Sequence, residues 1–236
     1  MKWGVTNIAV YTIGDLHLSL GGNKSMETFP GWQDYVRRIE IKWLETITKD
    51  DTVVLLGDTS WAMKPEELLP DLRFIESLPG QKILIKGNHD YWWSTVTKMQ
   101  AFFDENGFGT LNILHNNAYA IGDIALCGTR GWMIEEETPH DQKLSSREAG
   151  RFEASIMAAV KTGKEPVAFL HYPPIFLERM AGNMIDLLLK YKIRQCYYAH
   201  LHASACKLAF NGSYMGIDFR LVSADHLRFA PSLVEC

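Results

Sequence analysis

Seven side chains able to bind a metal ion follow short apolar segments of the 236-residue sequence. They are two carboxylates, one amide and four imidazoles: Asp15, His17, Asp58, Asn88, His171, His200 and His202. A mixture of nitrogen and oxygen donors suits Mn²⁺, iron or Zn²⁺ better than Mg²⁺ or Ca²⁺, which prefer oxygen. Seven donors are too many for one tetrahedral ion. The sequence therefore predicts two divalent transition-metal ions that share a carboxylate, with Asp58 as the bridge.

The charge of such a centre predicts the kind of substrate. Two divalent ions less the charges of Asp15 and Asp58 leave about +2, and a bridging hydroxide lowers this to about +1. A positive centre favours a phosphate anion. We therefore expect an anionic ester as the substrate.

Strands must position these donors. Short apolar segments run directly into the donor motifs, at residues 8–13, 52–56, 82–85, 167–170 and 195–198. The carboxyl ends of neighbouring strands in an α/β fold face a common crevice. The donors should therefore converge there although they lie far apart in the sequence.

Amphipathic stretches between the strands predict helices, which alternate with the strands as in an α/β fold. One begins near Pro30, and the others cover residues 65–78, 93–105, 146–160 and 176–191. No internal repeat or linker interrupts the chain. We therefore predict a single domain over residues 1–236.

Three other segments read differently. Residues 112–115 and 118–129 predict further strands, with a turn at Gly122-Asp123. Residues 132–145 are acidic and lack a period, which predicts a surface loop. Its run of Glu135, Glu136 and Glu137 is interpreted as a solvated charge run, or alternatively as a lid. Residues 207–229 alternate and predict an antiparallel ending, with turns at Asn211-Gly212 and Ala224-Asp225.

Composition excludes several classes of protein. The net charge of −4 gives no general attraction for long nucleic acid. No segment reaches the roughly 18 apolar residues of a membrane span, and the first residues lack a secretory leader, so we expect a cytoplasmic protein. The cysteines have no paired metal-type spacing and are predicted to be reduced thiols: Cys127, Cys196, Cys206 and Cys236.

Together the motifs resemble the calcineurin-like metallophosphoesterase superfamily. They are, in order, Asp15-x-His17, Gly57-Asp58, Gly87-Asn88-His89-Asp90, a lone His171 and His200-x-His202. The resemblance implies a four-layer αββα sandwich, in which two mixed β-sheets pack face to face between helices. It also implies how the ligands divide, with Asp58 shared: Asp15, His17 and His202 around one ion; Asn88, His171 and His200 around the other.

The resemblance further implies that His89 is the catalytic residue. In the family this histidine lies over the phosphate, where it stabilises the transition state or protonates the leaving oxygen, while a metal-activated water attacks phosphorus in line. Two positions depart from the family pattern. Trp61 stands where a second Asp often orients the histidine, and Ala199 stands where Gly is frequent. The partner that orients His89 is left open.

Arg130 is the candidate substrate-binding residue. It lies between glycines after a predicted strand, where its guanidinium could bind a phosphate or form a surface salt bridge. Aromatic residues beside the motifs either pack in the core or form a wall for an aryl or nucleobase group: Trp61, Tyr91, Trp92, Trp93, Trp132 and Tyr172. The remaining histidines are interpreted as surface or packing residues: His115, His140 and His226.

The hypothesis that follows is a hydrolase of small phosphate mono- or diesters with a binuclear metal centre. The alternative is a catalytically silent binding module that keeps the fold, and His89 with the full donor set argues against it. A nuclease acting on long DNA is a third hypothesis, and the negative charge argues against that one.

Overall fold

The computed structural model describes residues 8–132 and 138–235. Within these residues, a first sheet of five strands contains four parallel ones: β1 (Val10–Ile13), β2 (Thr52–Leu56), β3 (Gln81–Ile85) and β4 (Leu111–Ile113). The fifth, β13 (Ser232–Leu233), pairs antiparallel with β1 at the edge. Every residue of β2 is buried, which is typical of a parallel strand covered on both faces.

Within the described residues, a second sheet of six strands packs against the first. Its strands are β5 (Tyr119–Ile121), β6 (Ile124–Thr129), β7 (Glu165–Leu170), β10 (Gln195–Tyr198), β11 (Gly212–Tyr214) and β12 (Ile217–Leu221). Their spatial order is β11-β12-β10-β7-β6-β5, with the four inner strands parallel and the two edge strands antiparallel. Both sheets are therefore mixed.

Helices cover the outer faces of the two sheets. They are α1 (Tyr35–Thr46), α2 (Pro65–Ser77), α3 (Val96–Glu105), α4 (Pro139–Val160) and α5 (Gly182–Lys190). Two short 3-10 helices, Met26–Thr28 and Ala203–Leu208, lie in loops. None of these helices combines the length and the apolar character that crossing a bilayer requires.

Successive side chains of a strand point to opposite faces of the sheet, and the buried apolar residues therefore form three clusters. In β2, Val53 and Leu55 pack with α1 to α3, whereas Val54 and Leu56 point between the sheets. A third cluster joins the second sheet to α4 and α5, for example through Phe152. The order helix, sheet, sheet, helix confirms the predicted four-layer αββα sandwich.

Two predicted elements are wrong. Residues 139–145 belong to α4 and not to a loop, because Thr138 caps the helix by accepting a hydrogen bond from Asp141 N and Pro139 suits its first turn. The acidic run Glu135 to Glu137, interpreted from the sequence as a solvated charge run or a lid, lies outside the described residues. The helix predicted at 176–191 is only α5, because a hairpin of β8 (Ile175–Phe176) and β9 (Arg179–Met180) precedes it.

The carboxyl-terminal segment follows the prediction in part. β11 and β12 pair antiparallel, but their turn is at Met215 and Gly216, both with positive φ, and not at Asn211-Gly212. β12 is also parallel to β10, and the chain then crosses to the first sheet as β13. Of the cysteines, Cys127, Cys196 and Cys206 are free thiols, and Cys236 lies outside the described residues.

Candidate metal centre

Sharp exits from the strands bring the predicted donors to one edge of both sheets. Asp15 N donates to the Gly57 carbonyl oxygen at 2.9 Å, and His17 N donates to the Asp58 carbonyl oxygen at 2.9 Å. Four donors have left-handed backbones with φ between 47° and 77°: Asp15, His17, Asp58 and His200. Such conformations cost free energy and cluster at functional sites, so the turns are held by their surroundings.

Two glycines allow the exits of β2 and β3 to touch. A Cβ on Gly57, whose φ is 81°, would lie 2.6 Å from Gly87 Cα. A Cβ on Gly87 would lie 2.1 Å from Asp58 Oδ1. Only glycine fits at both positions, which explains why these motifs contain Gly-Asp and Gly-Asn.

The donor atoms form two adjacent groups, within each of which all atoms lie within 4.8 Å of one another. We call them the Asp15 group (Asp15, His17, His202) and the His171 group (Asp58, His171, His200). Asp58 Oδ2 lies 3.6 Å from His171 Nε2 and 3.9 Å from His17 Nε2, and therefore faces both groups. Asn88 Oδ1 lies 2.7 Å from His171 Nε2. The structure thus brings all seven predicted donors together.

Hydrogen bonds leave one oxygen of each carboxylate for the centre. His200 N donates to Asp15 Oδ2 at 2.7 Å, and His89 N donates to Asp58 Oδ1 at 2.7 Å. In the part of the chain that the structure describes, the buried Asp15 Oδ1 has no hydrogen-bond partner. A buried carboxylate oxygen without a partner is costly, and a cation would satisfy it.

The rings of two histidines are oriented through Nδ1. His171 Nδ1 lies 2.8 Å from the Leu56 carbonyl oxygen, which can only accept, so Nε2 carries the free lone pair. His202 Nδ1 donates to Asp225 Oδ1 at 3.0 Å, and Asp225 Oδ2 accepts from Ala203 N at 2.8 Å. A carboxylate or carbonyl behind the ligand histidine is the usual support of a metal site.

The other site histidines are held by aromatic neighbours. His17 stacks on Trp61, with ring centroids 4.7 Å apart and an interplanar angle of 19°. His200 lies 4.5 Å from the ring of Tyr172. Trp132 contacts Tyr172 at 5.6 Å, and the Trp92 side chain is buried. Two of the aromatic residues named from the sequence, Trp61 and Tyr172, therefore support site histidines.

Burial shifts the pKa values of these donors. It raises the pKa of Asp15 to about 7 and lowers the pKa of His171 and of His200 to about 3. Burial also opposes a charge on His202, but the carboxylates of Asp15 and Asp225 outweigh it and raise its pKa to about 9. Most of the imidazoles are therefore neutral, which is the form that binds a metal.

The arrangement fits metal ions. His17 Nε2 and His202 Nε2 lie 3.2 Å apart. Two nitrogen ligands of a tetrahedral ion with bonds of about 2.05 Å would be separated by about 3.3 Å. The Nε2 of His171, whose Nδ1 carries the proton, and Asn88 Oδ1 are two acceptors that face each other. A cation between such atoms removes the repulsion of their lone pairs.

His89 lies at the mouth of the centre, with about a third of its side chain exposed and Nε2 4.0 Å from Asp58 Oδ2. Its ring lies between Trp61, at 4.5 Å, and Tyr91, whose hydroxyl is 3.3 Å from His89 Nδ1. A tyrosine hydroxyl therefore stands behind His89, where the family often has a carboxylate. The sequence alone indicates for Tyr91 only a core position or a place in an aromatic wall.

Two further residues of the site were missed from the sequence. The buried carboxylate of Asp90 accepts hydrogen bonds from the backbone N–H groups of Gly87, Asp58, Thr59 and Ser60, and thereby ties the two strand exits together. Its place in the Gly-Asn-His-Asp motif was the available signal. Asp225 was predicted as a turn residue, and no spacing rule connects it with His202, which lies 23 positions earlier.

Arg130 is placed beside the centre and not within it. Its Nη2 lies 3.7 Å from Glu148 Oε1, and its guanidinium lies 5.0 Å from the ring of Trp132. The ion pair is therefore not on the surface as predicted, because Glu148 is buried. Arg130 lines a cavity, as do His115 and Trp93, whereas His140 and His226 are exposed.

Two mixed sheets with a cluster of metal donors at their joint edge define the fold of a metal-dependent phosphoesterase. The profile of the calcineurin-like phosphoesterases matches residues 8–204. The chain belongs to the calcineurin-like phosphoesterase family, as the motifs predicted.

Solved structures share this fold. The protein of unknown function AQ665 from Aquifex aeolicus is 16% identical, with a TM-score of 0.50 over 96% of this chain and 96% of its own. The protein TT1561 of Thermus thermophilus is 11% identical, with a TM-score of 0.58 over 98% and 99% of the two chains. No curated protein matches the chain. The similarity at these identities concerns the fold alone.

Proposed function

We propose that the protein hydrolyses small phosphate mono- or diesters with a binuclear centre of Mn²⁺, iron or Zn²⁺. The observation that carries this proposal is the pair of adjacent donor groups, with Asp58 Oδ2 within 4 Å of a histidine nitrogen in each. Asp58 would bridge the ions, Asn88 would join the His171 group, and the bound ions would neutralise the phosphate and activate a water molecule. Cytoplasmic location and a single domain remain predictions from the sequence.

The residues around the ions have separate tasks. Leu56 and Asp225 keep the Nδ1 protons of His171 and His202 turned away, so that each Nε2 is available as a ligand. Asp90 fixes the turn that carries Asp58 through its hydrogen bond from Asp58 N at 2.9 Å. These supports place the ligands before a metal or a substrate arrives, which lowers the cost of assembling the site.

His89 is the proposed catalytic acid. Its partly exposed side chain places Nε2 4.0 Å from Asp58 Oδ2, and its Nδ1 is next to the Tyr91 hydroxyl. A protonated His89 would donate Nδ1–H to Tyr91 and pass the Nε2 proton to the leaving oxygen as the ester bond breaks. Protonation lets the leaving group depart as an alcohol instead of an alkoxide, and this lowers the activation barrier of hydrolysis.

The open face of the site suits a small ester. Tyr91 is exposed and Trp61 packs behind His89, so an aryl or nucleobase group could lie against them. Lys24 Nζ lies 5.4 Å from the ring of Trp61 and adds one positive charge at this side.

Metal content and ester hydrolysis test the proposal together. We expect about two transition-metal ions per chain in purified protein or after Mn²⁺ reconstitution, and hydrolysis of at least one member of a panel of mono- and diesters. His171→Ala should lose metal and activity, whereas the matched control His226→Ala, at an exposed position, should keep both. A ceiling of one ion per chain would overturn the binuclear proposal.

A further inference from the structure

A cavity of about 520 Å³ opens beside the His171 group, between α4 and the ends of β3, β4 and β6. Besides His115, its ionisable lining is strongly unbalanced, with five cationic side chains and one carboxylate: Lys86, Lys98, Arg130, Arg147, Arg151 and Glu148. The chain as a whole is acidic. Positive charge is thus concentrated at one place in a protein that otherwise repels anions.

The carboxylate in this cavity is already engaged. Glu148 is 1% exposed and accepts hydrogen bonds from Thr129 Oγ1 at 2.8 Å and Arg151 Nη1 at 2.6 Å. Arg130 Nη2 lies 3.7 Å from Oε1, the same oxygen that accepts from Arg151. Glu148 therefore orients two guanidinium groups along the cavity wall and neutralises at most one of them.

Among the described residues, one cation of the cavity lacks a partner and another is only partly satisfied. Lys86 is half-buried, and no described residue accepts a hydrogen bond from its ammonium group or forms an ion pair with it. The buried Arg130 Nε likewise has no hydrogen-bond partner among residues 8–132 and 138–235. Removing cations from water without a partner is unfavourable. A bound anion would supply the missing acceptors.

The cavity and the metal centre are built on neighbouring residues of the same chain segments. Lys86 lies two residues before Asn88 on the exit of β3. On the other wall, Tyr172 N donates to the Arg130 carbonyl oxygen at 2.8 Å, directly after His171. The two chain segments that carry Lys86 and Arg130 therefore run on into metal-donor residues, and one molecule could occupy both sites.

We propose that this cavity binds a second phosphoryl group of the same substrate, so that the preferred esters carry two phosphoryl groups. The inference rests on the proposed function, because the first phosphoryl group occupies the metal centre. Hydrolysis there would break one ester P–O bond and form a bond between phosphorus and the water oxygen. The leaving oxygen would take one proton and depart as an alcohol, which would still carry the second phosphoryl group.

Binding of inorganic phosphate tests the cavity without catalysis. The metal-loaded parent should bind two phosphates per chain, and Asp58→Asn, which disrupts the centre, should retain the cavity phosphate. The double variant Lys86→Met/Arg130→Met should bind the cavity phosphate about 10- to 100-fold more weakly. The matched double variant of exposed cations, Arg37→Met/Lys161→Met, should bind as the parent.

The outcomes separate the two proposals. If the parent binds a single phosphate that the cavity double variant still holds, the cavity inference is overturned. If that single phosphate is lost in the cavity variant, the cavity inference survives and the metal-centre proposal fails. Arg147→Glu, at an exposed position of α4, repeats the comparison in case the double variant does not fold.

Kinetics then distinguish a substrate group from a free anion. The kcat/KM of the parent should be at least about tenfold higher for a hexose bisphosphate than for the hexose monophosphate. The control variant Arg37→Met/Lys161→Met should keep this preference. The cavity variant Lys86→Met/Arg130→Met should lose it through a higher KM for the bisphosphate. A parent that binds phosphate in the cavity but shows no such preference would overturn the substrate assignment.

Discussion

An aspartate lies at each end of β2, and the two carboxylates differ in the hydrogen bonds that they accept. Before the strand, the buried Asp51 accepts hydrogen bonds from Ala9 N at 2.9 Å, Thr48 N at 2.8 Å and Thr48 Oγ1 at 2.7 Å. After the strand, Asp58 receives one hydrogen bond, from His89 N, and turns its second oxygen toward histidines. The Asp51 carboxylate at the start of β2 is thus satisfied by hydrogen bonds within the protein, whereas the Asp58 carboxylate at its end keeps one oxygen for a ligand.

β3 repeats the contrast with lysines. Lys82, at the entry, is fully buried, and its Nζ donates to the Leu78 carbonyl oxygen and to Thr110 Oγ1 at 3.0 Å. Lys86, at the exit, has no such partner in the described part of the chain. A buried charge that is fully paired is structural, whereas an unpaired charge at the crevice marks a binding site. Variants at the exits should thus impair function, and variants at the entries should impair stability.

Asp58→Asn should have the largest effect. It weakens both ions, and each ion contributes at least about 10²-fold to the rate, so we expect turnover to fall by about 10⁴-fold or more. The amide oxygen still accepts from His89 N, so the fold should persist. Turnover and metal content are measured beside Asp218→Asn, an exposed control. Activity within a few-fold of the parent at saturating Mn²⁺ would show that Asp58 is not the bridge.

His89→Ala should lower turnover by about 10²- to 10³-fold without loss of metal. If His89 donates a proton, the loss is smaller for nitrophenyl esters, whose leaving group needs no proton, and larger for alkyl phosphates. Tyr91→Phe should give a milder form of the same pattern, about tenfold. Equal losses on both ester types would contradict proton donation, and no loss would remove His89 from the mechanism.

Asp51→Asn should lower the free energy of unfolding by about 2 kcal/mol while activity per folded molecule is unchanged, because the amide cannot accept all three hydrogen bonds. Burial raises the pKa of Asp51, but hydrogen bonds from Thr48 and Ala9 outweigh it and lower the pKa. The carboxylate therefore stabilises the fold above its unfolded pKa of about 3.9. Urea denaturation should show the parent losing this advantage as pH falls below that value.

Lys82→Met should have the smallest effect, and it should depend on pH. Burial lowers the pKa of Lys82 to about 8, whereas the unfolded value is about 10.4. Between these values the unfolded chain holds a proton that the native state lacks, so the parent gains stability as pH rises, by about 1 kcal/mol after solvent screening. The variant should lack this rise and Lys161→Met should keep it. A rise in both would exclude Lys82 as its source.

Sequence reasoning predicted the strands better than the segments between them. Residues 52–56 and 195–198 match β2 and β10, because continuous apolar runs are bounded by charged or polar residues. The hairpin at Ile175–Phe176 and Arg179–Met180 was missed because its turn uses Leu177 at a φ of 54°, without a glycine to signal it. Local patterns identify strands, whereas such turns depend on tertiary contacts.

The residues of the site likewise fall into those that local sequence patterns predict and those that they do not. The donors are recognisable because each follows a strand within a short motif. Asp225 and the cations of the cavity are not, since they meet their partners only when α4 and the carboxyl-terminal segment pack onto the sheets. Their roles are contacts between distant segments, and no spacing in the sequence encodes them.

The Asp15 group combines donors from both sheets, and this affects the order of events during synthesis. His17 and His202 are separated by 185 positions, which a ribosome needs roughly 10 to 40 seconds to translate at about 5 to 20 residues per second. During that interval the nascent chain carries Asp15 and His17 without the histidine that completes their group. In the proposed centre, the ion of the Asp15 group would therefore bind only after His202, which follows β10, has been synthesised. A chain that had bound the proposed ions would be one in which the two sheets have already docked.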